Sequence, residues 1–276
     1  MKLQRAQGTG RLTTKTRNDT THIDELFQEG CAKIRLPKTH SSAMEAVLIN
    51  TSGGLTGGDA LNWHIKAADN SRLTVTTQAC ERAYKSLGDV ADVKTCIDIG
   101  KNARLDWLPQ ETILFDHSHL RRTLEVNLAD SACFTAVEAI VLGREAMGEQ
   151  ARSARFSDNW RIRRNGRLVH AEANKLSAFN LERDGLSTLA RNTALATILF
   201  IAENAETRLD DIRALISPNT KAETGDVNVG TVGASALGEK LIVRVLAPNG
   251  LALRRIITPI VKHLSSVASL PRLWST

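Results

Sequence analysis

From Ala43 onward, apolar residues recur far more often at the period of a strand than at that of a helix. Leu61, Trp63, Ile65 and Ala67 alternate with Asn62, His64 and Lys66, which defines one buried and one wetter face. The same period returns in Leu73-Val75-Thr77, Val93-Thr95-Ile97-Ile99 and Leu124-Val126-Leu128. Asp69-Asn70 and Gly100 to Asn102 supply turn residues between these runs. Ala132 to Leu142 allows a helix face through Phe134, Val137 and Val141, but its β-branched content and the following Gly143 favour a strand. Trp160 to Arg164 and Arg167 to Val169 flank Asn165-Gly166. Both turn residues tolerate positive φ, so the segment predicts a two-residue hairpin. This succession of short strands predicts stacked antiparallel sheets.

Helical spacing comes late. Thr188 to Asn204 carries Leu189, Leu195, Ile198, Leu199 and Ala202, and Glu206 to Ile216 repeats the pattern until Pro218 and Asn219 stop it. Residues 188–217 therefore read as a helical insertion. Residues 219–234 read as a Gly-, Thr- and Asn-rich loop, followed by a strand from Lys240 to Leu246. An amphipathic helix follows from Leu251 to Leu264, which Pro259 bends or breaks. Leu12 to Phe27 is too polar to assign, which leaves residues 1–30 as a weakly defined N-terminal segment of a single domain over 1–276. A parallel α/β enzyme would alternate strands and helices from the start. The expected class is instead mainly β with a small α component, as an extended stacked-sheet or β-helix-like architecture.

Composition narrows the function classes. Hydrophobic residues make up 42% of the 276, enough to bury a core, and no apolar run approaches the ~18 residues of a membrane span. The N-terminus is basic and polar without an apolar leader core, which predicts cytoplasmic residence. A formal charge of +6 assists approach to an acidic partner. One Tyr and six Phe supply too few aromatic platforms for single-stranded nucleic acid, and no duplex-docking motif is present. Cys31, Cys80, Cys96 and Cys133 are too widely spaced for a CxxC or zinc-finger pattern and read as reduced, packing thiols.

Three groups of residues invite a chemical reading. Asn50, Thr51, Gly53, Gly54, Gly57, Gly58 and Asp59 form a glycine-rich segment between two apolar strands. It lacks GxxxxGK[ST] and GxGxxG, and a strand rather than a helix follows it, so it reads as a structural or partner-presenting turn. Asp116, His117 and His119 form the one compact cluster with metal-ligand character. In an extended segment the two imidazoles face the same way and offer Ni²⁺ or Zn²⁺ a transient contact. Arg121, Arg122, Arg161, Arg163 and Arg164 are interface candidates, since guanidinium groups make oriented bidentate contacts with carboxylates. Ser118 has no GxSxG elbow around it, so a hydrolase lacks a sequence signature here.

Taken together these segments resemble the urease accessory protein family UreD, also called UreH. The blocks are NTSGGLTGGD (50–59), TTQACERAYKS (76–86), WLPQETILFD (107–116), LRR (120–122), VLGREAMGE (141–149), WRIRRNGRLV (160–169), LGEKLIVRVLAP (237–248) and LPRLW (270–274). They run in order from about residue 30 to the C-terminus. The resemblance implies a β-rich extended scaffold that is not itself an enzyme and holds no cofactor tightly. It implies a complex with a UreF-like protein, a UreG-like GTPase and apo-urease, supporting delivery of Ni²⁺ to the carbamylated-lysine dinuclear centre. GTP then belongs to the UreG-like partner, and nickel contacts this chain only in transit. A scaffold for another metalloenzyme is the alternative that preserves the same pattern.

Overall fold

The computed structural model describes residues 4–39, 42–177, 184–220, 230–265 and 270–274. The chain opens with β1 (Gln7–Arg17), β2 (Thr20–Gly30), β3 (Ala32–Arg35), β4 (Met44–Asn50), β5 (Ala60–Ala67), β6 (Arg72–Thr77) and the short β7 (Glu81–Ala83). It continues through β8 (Ala91–Ile99), β9 (Arg104–Leu108), β10 (Thr112–Leu114), β11 (His119–Leu128), β12 (Cys133–Leu142), β13 (Arg155–Arg164) and β14 (Arg167–Leu176). The last elements are β15 (Ala194–Ile201), α1 (Leu209–Thr220), β16 (Thr231–Leu237), β17 (Lys240–Ala247) and α2 (Gly250–Leu264).

Apart from the short β7 and β10, which add to the second sheet, successive strands from β5 to β13 alternate between two facing sheets. The seven-stranded first sheet has the order β14-β13-β11-β8-β5-β1-β2, and the second sheet follows β16-β17-β15-β12-β9-β6-β4-β3. Within each sheet the neighbours of this coil are parallel: β5 with β8, β8 with β11, β11 with β13, and β4 with β6, β6 with β9, β9 with β12. The β-helix-like, stacked-sheet expectation is therefore met, but its antiparallel pairing is corrected. A parallel pair needs a long crossover, and here the strand in the opposite sheet serves as that crossover, so no helix is required. Antiparallel pairs lie at the ends of the coil, including β1 with β2, β13 with β14, and β12 with β15.

The two ends of each turn of the coil differ. From the first sheet to the second the chain passes tight turns in which Asn70, Asn102 and Ser131 take φ of 60°, 54° and 55°. Asn70 N–H donates to Lys101 O at 2.9 Å and Asn102 N–H to Asp130 O at 3.2 Å, so the turns stack on one another. Asn165 and Gly166, at φ 49° and 80°, close the β13–β14 hairpin as the sequence predicts. At the other end the chain returns through longer loops. These contain the 50–59, 76–86, 107–116 and 141–149 blocks.

Two apolar layers result. Leu61, Trp63, Ile65, Leu124, Val126, Phe134 and Trp160 fill the space between the sheets, while Val137, Ile198, Phe200, Val243, Leu253, Ile257 and Ile260 pack the second sheet against the helices. This second layer accounts for one correction. Thr188 to Asn204 is not helical, and Ala194–Ile201 is strand β15. Leu199 and Ile201 enter the inter-sheet core while Ala194, Ala196, Ile198 and Phe200 enter the helix-side core. A strand buried on both faces loses its polar alternation and mimics a helical apolar pattern.

The helix expected from Glu206 to Ile216 is found as a 3₁₀ turn at Ala205–Arg208 leading into α1, which continues past Pro218 to Thr220. Part of the 219–234 loop reading falls on 221–229, outside the described residues, and strand β16 already begins at Thr231. α2 continues through Pro259, with Asn249 Oδ1 capping Ala252 N–H at 2.9 Å.

Residues 7–30 are two full strands rather than a weakly defined segment. Their polarity has a positional cause. β2 is an edge strand exposed along most of its length, and of the four inward positions of β1 only Leu12 is a large apolar residue, the others being Gly8, Gly10 and Thr14. Gly10 lies beside Trp63 in the β1–β5 register, where a Cβ would sit 2.4 Å from the indole ring. Gly10→Ala is therefore expected to cost about 1–3 kcal/mol through overpacking, read as a lowered urea midpoint. An unchanged midpoint would show that the hairpin does not depend on packing against Trp63.

Candidate functional site

The four return loops lie over one another at a seam in the second sheet. β12 pairs with β9 through Cys133–Ala136 and with β10 through Thr112↔Ile140 to Leu114↔Leu142, leaving Val137 to Ala139 between the two ladders. Opposite that gap the chain jogs from β9 to β10 through Pro109, Gln110 and Glu111, and from β6 to β7 through Gln78, Ala79 and Cys80. Backbone bonds tie the blocks together. Leu55 N–H donates to Arg82 O at 2.7 Å, Glu81 N–H to Glu111 O at 2.9 Å, Phe115 N–H to Ala83 O at 3.0 Å and Gly143 N–H to Leu114 O at 2.8 Å.

Polar side chains gather where the ladder is interrupted. Arg122 of β11 points between the sheets, pairs with Glu138 Oε2 of β12, lies 3.6 Å from Asp158 Oδ2 of β13 and donates to Thr112 Oγ1 at 2.8 Å. Its guanidinium lies over the Phe156 ring, 5.0 Å from the centroid. Trp160 Nε1–H donates to the same Asp158 oxygen at 2.8 Å. Arg122, Glu138, Asp158 and Glu81, with Gln110 and Trp63, line a cavity of about 80 Å³, large enough for several waters. The side-chain donors Gln110 Nε2 and Arg122 Nε are buried there without a protein partner.

The polar series continues in both directions. Toward the loops, Asn50 Nδ2 lies 3.3 Å from the Glu81 carboxylate. Toward the far flank, Glu138 is level with Thr197 on β15 and Trp160 with Glu172 on β14. Arg244 donates to Thr197 Oγ1 at 2.9 Å and Glu172 Oε2 at 2.5 Å. Beside it a second cavity of about 200 Å³ opens between Asn174, Thr197, Thr231 and Arg244.

Charge within this interior is unbalanced. Burial pushes the Glu138 carboxyl up to about 7, opposed by Arg122 and reinforced by Asp158. Burial also raises Asp158, against the pull of Arg122 and the Trp160 hydrogen bond, and raises Glu81 against its Asn50 contact. One guanidinium cannot fully compensate three desolvated carboxylates, so burial favours the protonated form at each of them.

The glycine-rich segment is a packed loop. Asn50 Oδ1 accepts from Ser52 N–H at 3.0 Å and Thr51 Oγ1 donates to Cys31 O at 3.1 Å. Gly53 O accepts from the Tyr84 hydroxyl at 3.2 Å. A Cβ at Gly54 would meet the Tyr84 ring at 2.3 Å, and one at Gly57 would meet Asp89 O at 2.3 Å, so close approach explains both glycines. Gly58 leads into Asp59, whose carboxylate accepts from Ala6 N–H and Thr56 N–H, each at 2.8 Å.

The other candidate residues separate. Asp116 and His117 lie 3.4 Å apart at the surface, but His117 takes φ 58° in a turn, so it does not share a strand face with His119 as an extended segment would require. His119 begins β11 with its Nδ1 buried and unpartnered. Among the described residues no three His, Cys, Asp or Glu side chains come together as a metal-holding group.

Arg122 is mostly buried rather than an interface arginine, because strand alternation turns it inward while Arg121 pairs with Asp92 at the surface. Arg164 is also mostly buried. It donates to Ala129 O at 2.8 Å and Ala132 O at 3.1 Å and pairs with Glu239 at 2.8 Å. Arg161 and Arg163 alternate with the inward Trp160 and Ile162, and Arg161 donates to Trp160 O at 2.7 Å. The four cysteines are unpaired thiols with pKa values raised by burial, Cys80 to about 11. Glu138 and Asp158 escaped the sequence reading. Each sits at an inward parity position, between Ala136 and Ile140 and between Phe156 and Trp160, and that parity is the signal that could have found them.

Two outcomes follow from this geometry. Asp59→Ala strands two backbone donors and is expected to cost about 1–3 kcal/mol of stability in chemical denaturation. Retained stability with lost partner binding would assign Asp59 to a surface instead. For Glu138, the folded pKa of about 7 exceeds its ordinary 4.5, so between these values the folded state holds a proton that the unfolded state has released. Stability therefore falls as pH rises from about 4.5 to 7 and levels off above, with Asp158 and Glu81 contributing in the same direction. Glu138→Gln should flatten this slope in urea midpoints measured across that range. A slope identical to wild type would remove Glu138 as its source.

Comparison with known proteins gives this architecture a family. The model of the family described as UreD urease accessory protein matches residues 6–275. A urease accessory protein UreD of Chelativorans sp. (strain BNC1) is 55% identical over 273 residues, covering 99% of this chain and 95% of the relative. Those of Agrobacterium fabrum and Rhizobium leguminosarum bv. viciae are 48% and 46% identical, each covering 99% of this chain and 92% and 96% of the relatives. With one family model spanning nearly the whole chain and relatives of this similarity at full length, the chain belongs to the UreD family of urease accessory proteins.

Proposed function

We propose that this chain acts in the maturation of nickel-dependent urease as a cytoplasmic, non-catalytic scaffold. It bridges apo-urease to a UreF-like protein and a UreG-like GTPase, so that Ni²⁺ passes from donor to acceptor within one assembly. The observation that carries this reading is the series of polar side chains running between the sheets from Asn50 and Glu81, past Arg122, Glu138 and Asp158, to Glu172 and Arg244. Family membership supports the urease context. Among the described residues no helix is long and apolar enough to cross a membrane.

The chemistry of the interior suits a cargo in transit. Carboxylates offer oxygen ligands to a divalent ion, while the nearby guanidinium opposes prolonged residence by competing for the same oxygens. Holding donor and acceptor together raises their effective concentration, and enclosure limits exchange of Ni²⁺ with other cellular ligands. Nucleotide chemistry remains with the UreG-like partner. At the surface, the paired Asp116 and His117 would offer the ion a transient first contact, and Arg121, Arg161 and Arg163 would meet carboxylates of a partner, Arg121 by exchanging its pair with Asp92.

The test is co-expression of apo-urease with the UreF-like and UreG-like proteins, with and without this chain, scoring complex formation and urease nickel occupancy together. Omission of the chain is expected to abolish the joined complex and lower nickel occupancy. The paired Glu138→Gln and Asp158→Asn substitutions should retain the complex and still lower occupancy. Full loading at the same rate without the chain overturns the role, and full loading by the paired variant removes the interior route. Unchanged loading after joint replacement of Asp116, His117 and His119 ends the proposed metal role of that cluster.

A further inference from the structure

Behind the polar cavity, on the face of the second sheet that carries α2, the C-terminal segment makes an unusually dense set of contacts. Trp274 is buried, and its Nε1–H donates to Leu108 O at 3.1 Å, at the point where β9 ends and the Pro109–Glu111 jog begins. Arg254 of α2 places its guanidinium over the Trp274 ring, 4.8 Å from the centroid, and donates through Nη2 to Leu273 O at 2.8 Å. Through Nη1 it donates to Gln110 Oε1 at 2.7 Å and to the Glu111 carboxylate at 2.9 and 3.1 Å. One guanidinium thus joins the tail, the helix and the jog.

The jog is also a wall of the cavity. Pro109, Gln110 and Thr112 line it, Gln110 N–H donates to Thr77 Oγ1 at 2.9 Å, and Thr112 Oγ1 accepts from Arg122. Pro109 has no N–H, and the jog falls between the β9 and β10 ladders with β12, so side chains take over part of the restraint that pairing gives elsewhere. Glu111 is buried, and its charge is compensated mainly by Arg254.

We propose that Trp274 and Arg254 form a latch that holds the Pro109–Glu111 strap closed over the polar cavity. They act as positioning residues, through the strap rather than by touching the cargo. Release of the tail would free Arg254 from the Trp274 ring and Leu273 O, loosen its hold on Gln110 and Glu111, and open the cavity toward the α2 side of the sheet. The consequence for nickel loading rests on the interior route proposed above; the latch itself does not.

Hydrogen exchange of the full chain within its co-expressed partner complex reads the latch directly. Trp274→Ala is expected to speed exchange of the Gln110 and Glu111 amides by about tenfold or more, while amides of β15 and of the β9-paired part of β12, Cys133 to Ala136, keep their wild-type rates. Trp274→Phe preserves the ring beneath Arg254 and should restore most of the protection. Arg254→Lys keeps the charge but cannot span the tail and both strap residues, so it should open the strap as Trp274→Ala does. Unchanged strap exchange in both Trp274→Ala and Arg254→Lys overturns the latch, as does acceleration shared equally by β15 and Cys133 to Ala136. If Trp274→Ala does not fold, Arg254→Lys and Trp274→Phe decide by the same criteria. Urease nickel occupancy separates the two ideas. An opened strap with normal loading leaves the latch standing and refutes the interior route, whereas reduced loading with a closed strap refutes the latch alone.

Discussion

Arg122 is held between the two sheets by a carboxylate from each, Glu138 from the second and Asp158 from the first. Its position follows from the coil. In parallel register Leu61, Val93, Arg122 and Asp158 occupy one inward row on successive turns, so the guanidinium and one carboxylate are ladder neighbours and the other faces them across the core. A buried ion pair adds little net stability over an apolar filling, yet removing one partner leaves an uncompensated charge and costs about 3–5 kcal/mol. The constraint is consequently one of relative placement. With Arg122 in its place the two sheets cannot slide past each other without separating opposite charges.

The same cluster explains why the second sheet has a seam. An uninterrupted ladder would bring β9 and β10 together along the full length of β12, leaving no room for a polar cavity beside Glu138. The Pro109–Glu111 jog removes part of one rung and turns Gln110 toward the opening. At the opposite end of each turn of the coil, the stacked Asn70, Asn102 and Ser131 turns keep the rungs in register. One edge is therefore regular and the other irregular, and it is the irregular edge that contains four of the sequence blocks on which the resemblance to UreD rests.

How much of this was legible in the sequence depended on whether each strand kept one polar face. Leu61 to Ala67 and Leu124 to Leu128 keep one, and their alternation predicts the strands that the structure has there. β15 is covered by the other sheet on one side and by helices on the other, so it lacks a period of two and its apolar spacing imitates a helix. β1 and β2 failed for the opposite reason, since an exposed edge strand and a glycine packed under Trp63 leave few apolar residues to count. Arg121 and Arg122 show the limit of reading residue type without parity. They are adjacent and chemically identical, yet one faces solvent and the other the interior. Asp116, His117 and His119 failed as a strand-face cluster because the positive φ at His117 interrupts the extension.

A sandwich can keep a polar cavity at its centre only if enough dry packing surrounds it. Here the apolar layer between the second sheet and the helices supplies it, with Ile198, Phe200, Val243, Ile257 and Ile260 buried away from the charged row. Aromatic bodies separate the cavity from the remaining inter-sheet core. Trp63, Trp107 and Trp160 line it with apolar surface, and Trp160 Nε1–H reaches Asp158. Apolar walls lower the local dielectric, which strengthens the hold of Arg122 on its carboxylates and also raises the energy of any carboxylate left ionised without a partner. That opposition makes the interior responsive: a proton or a cation near Glu138 and Asp158 changes the balance that Arg122 alone leaves incomplete.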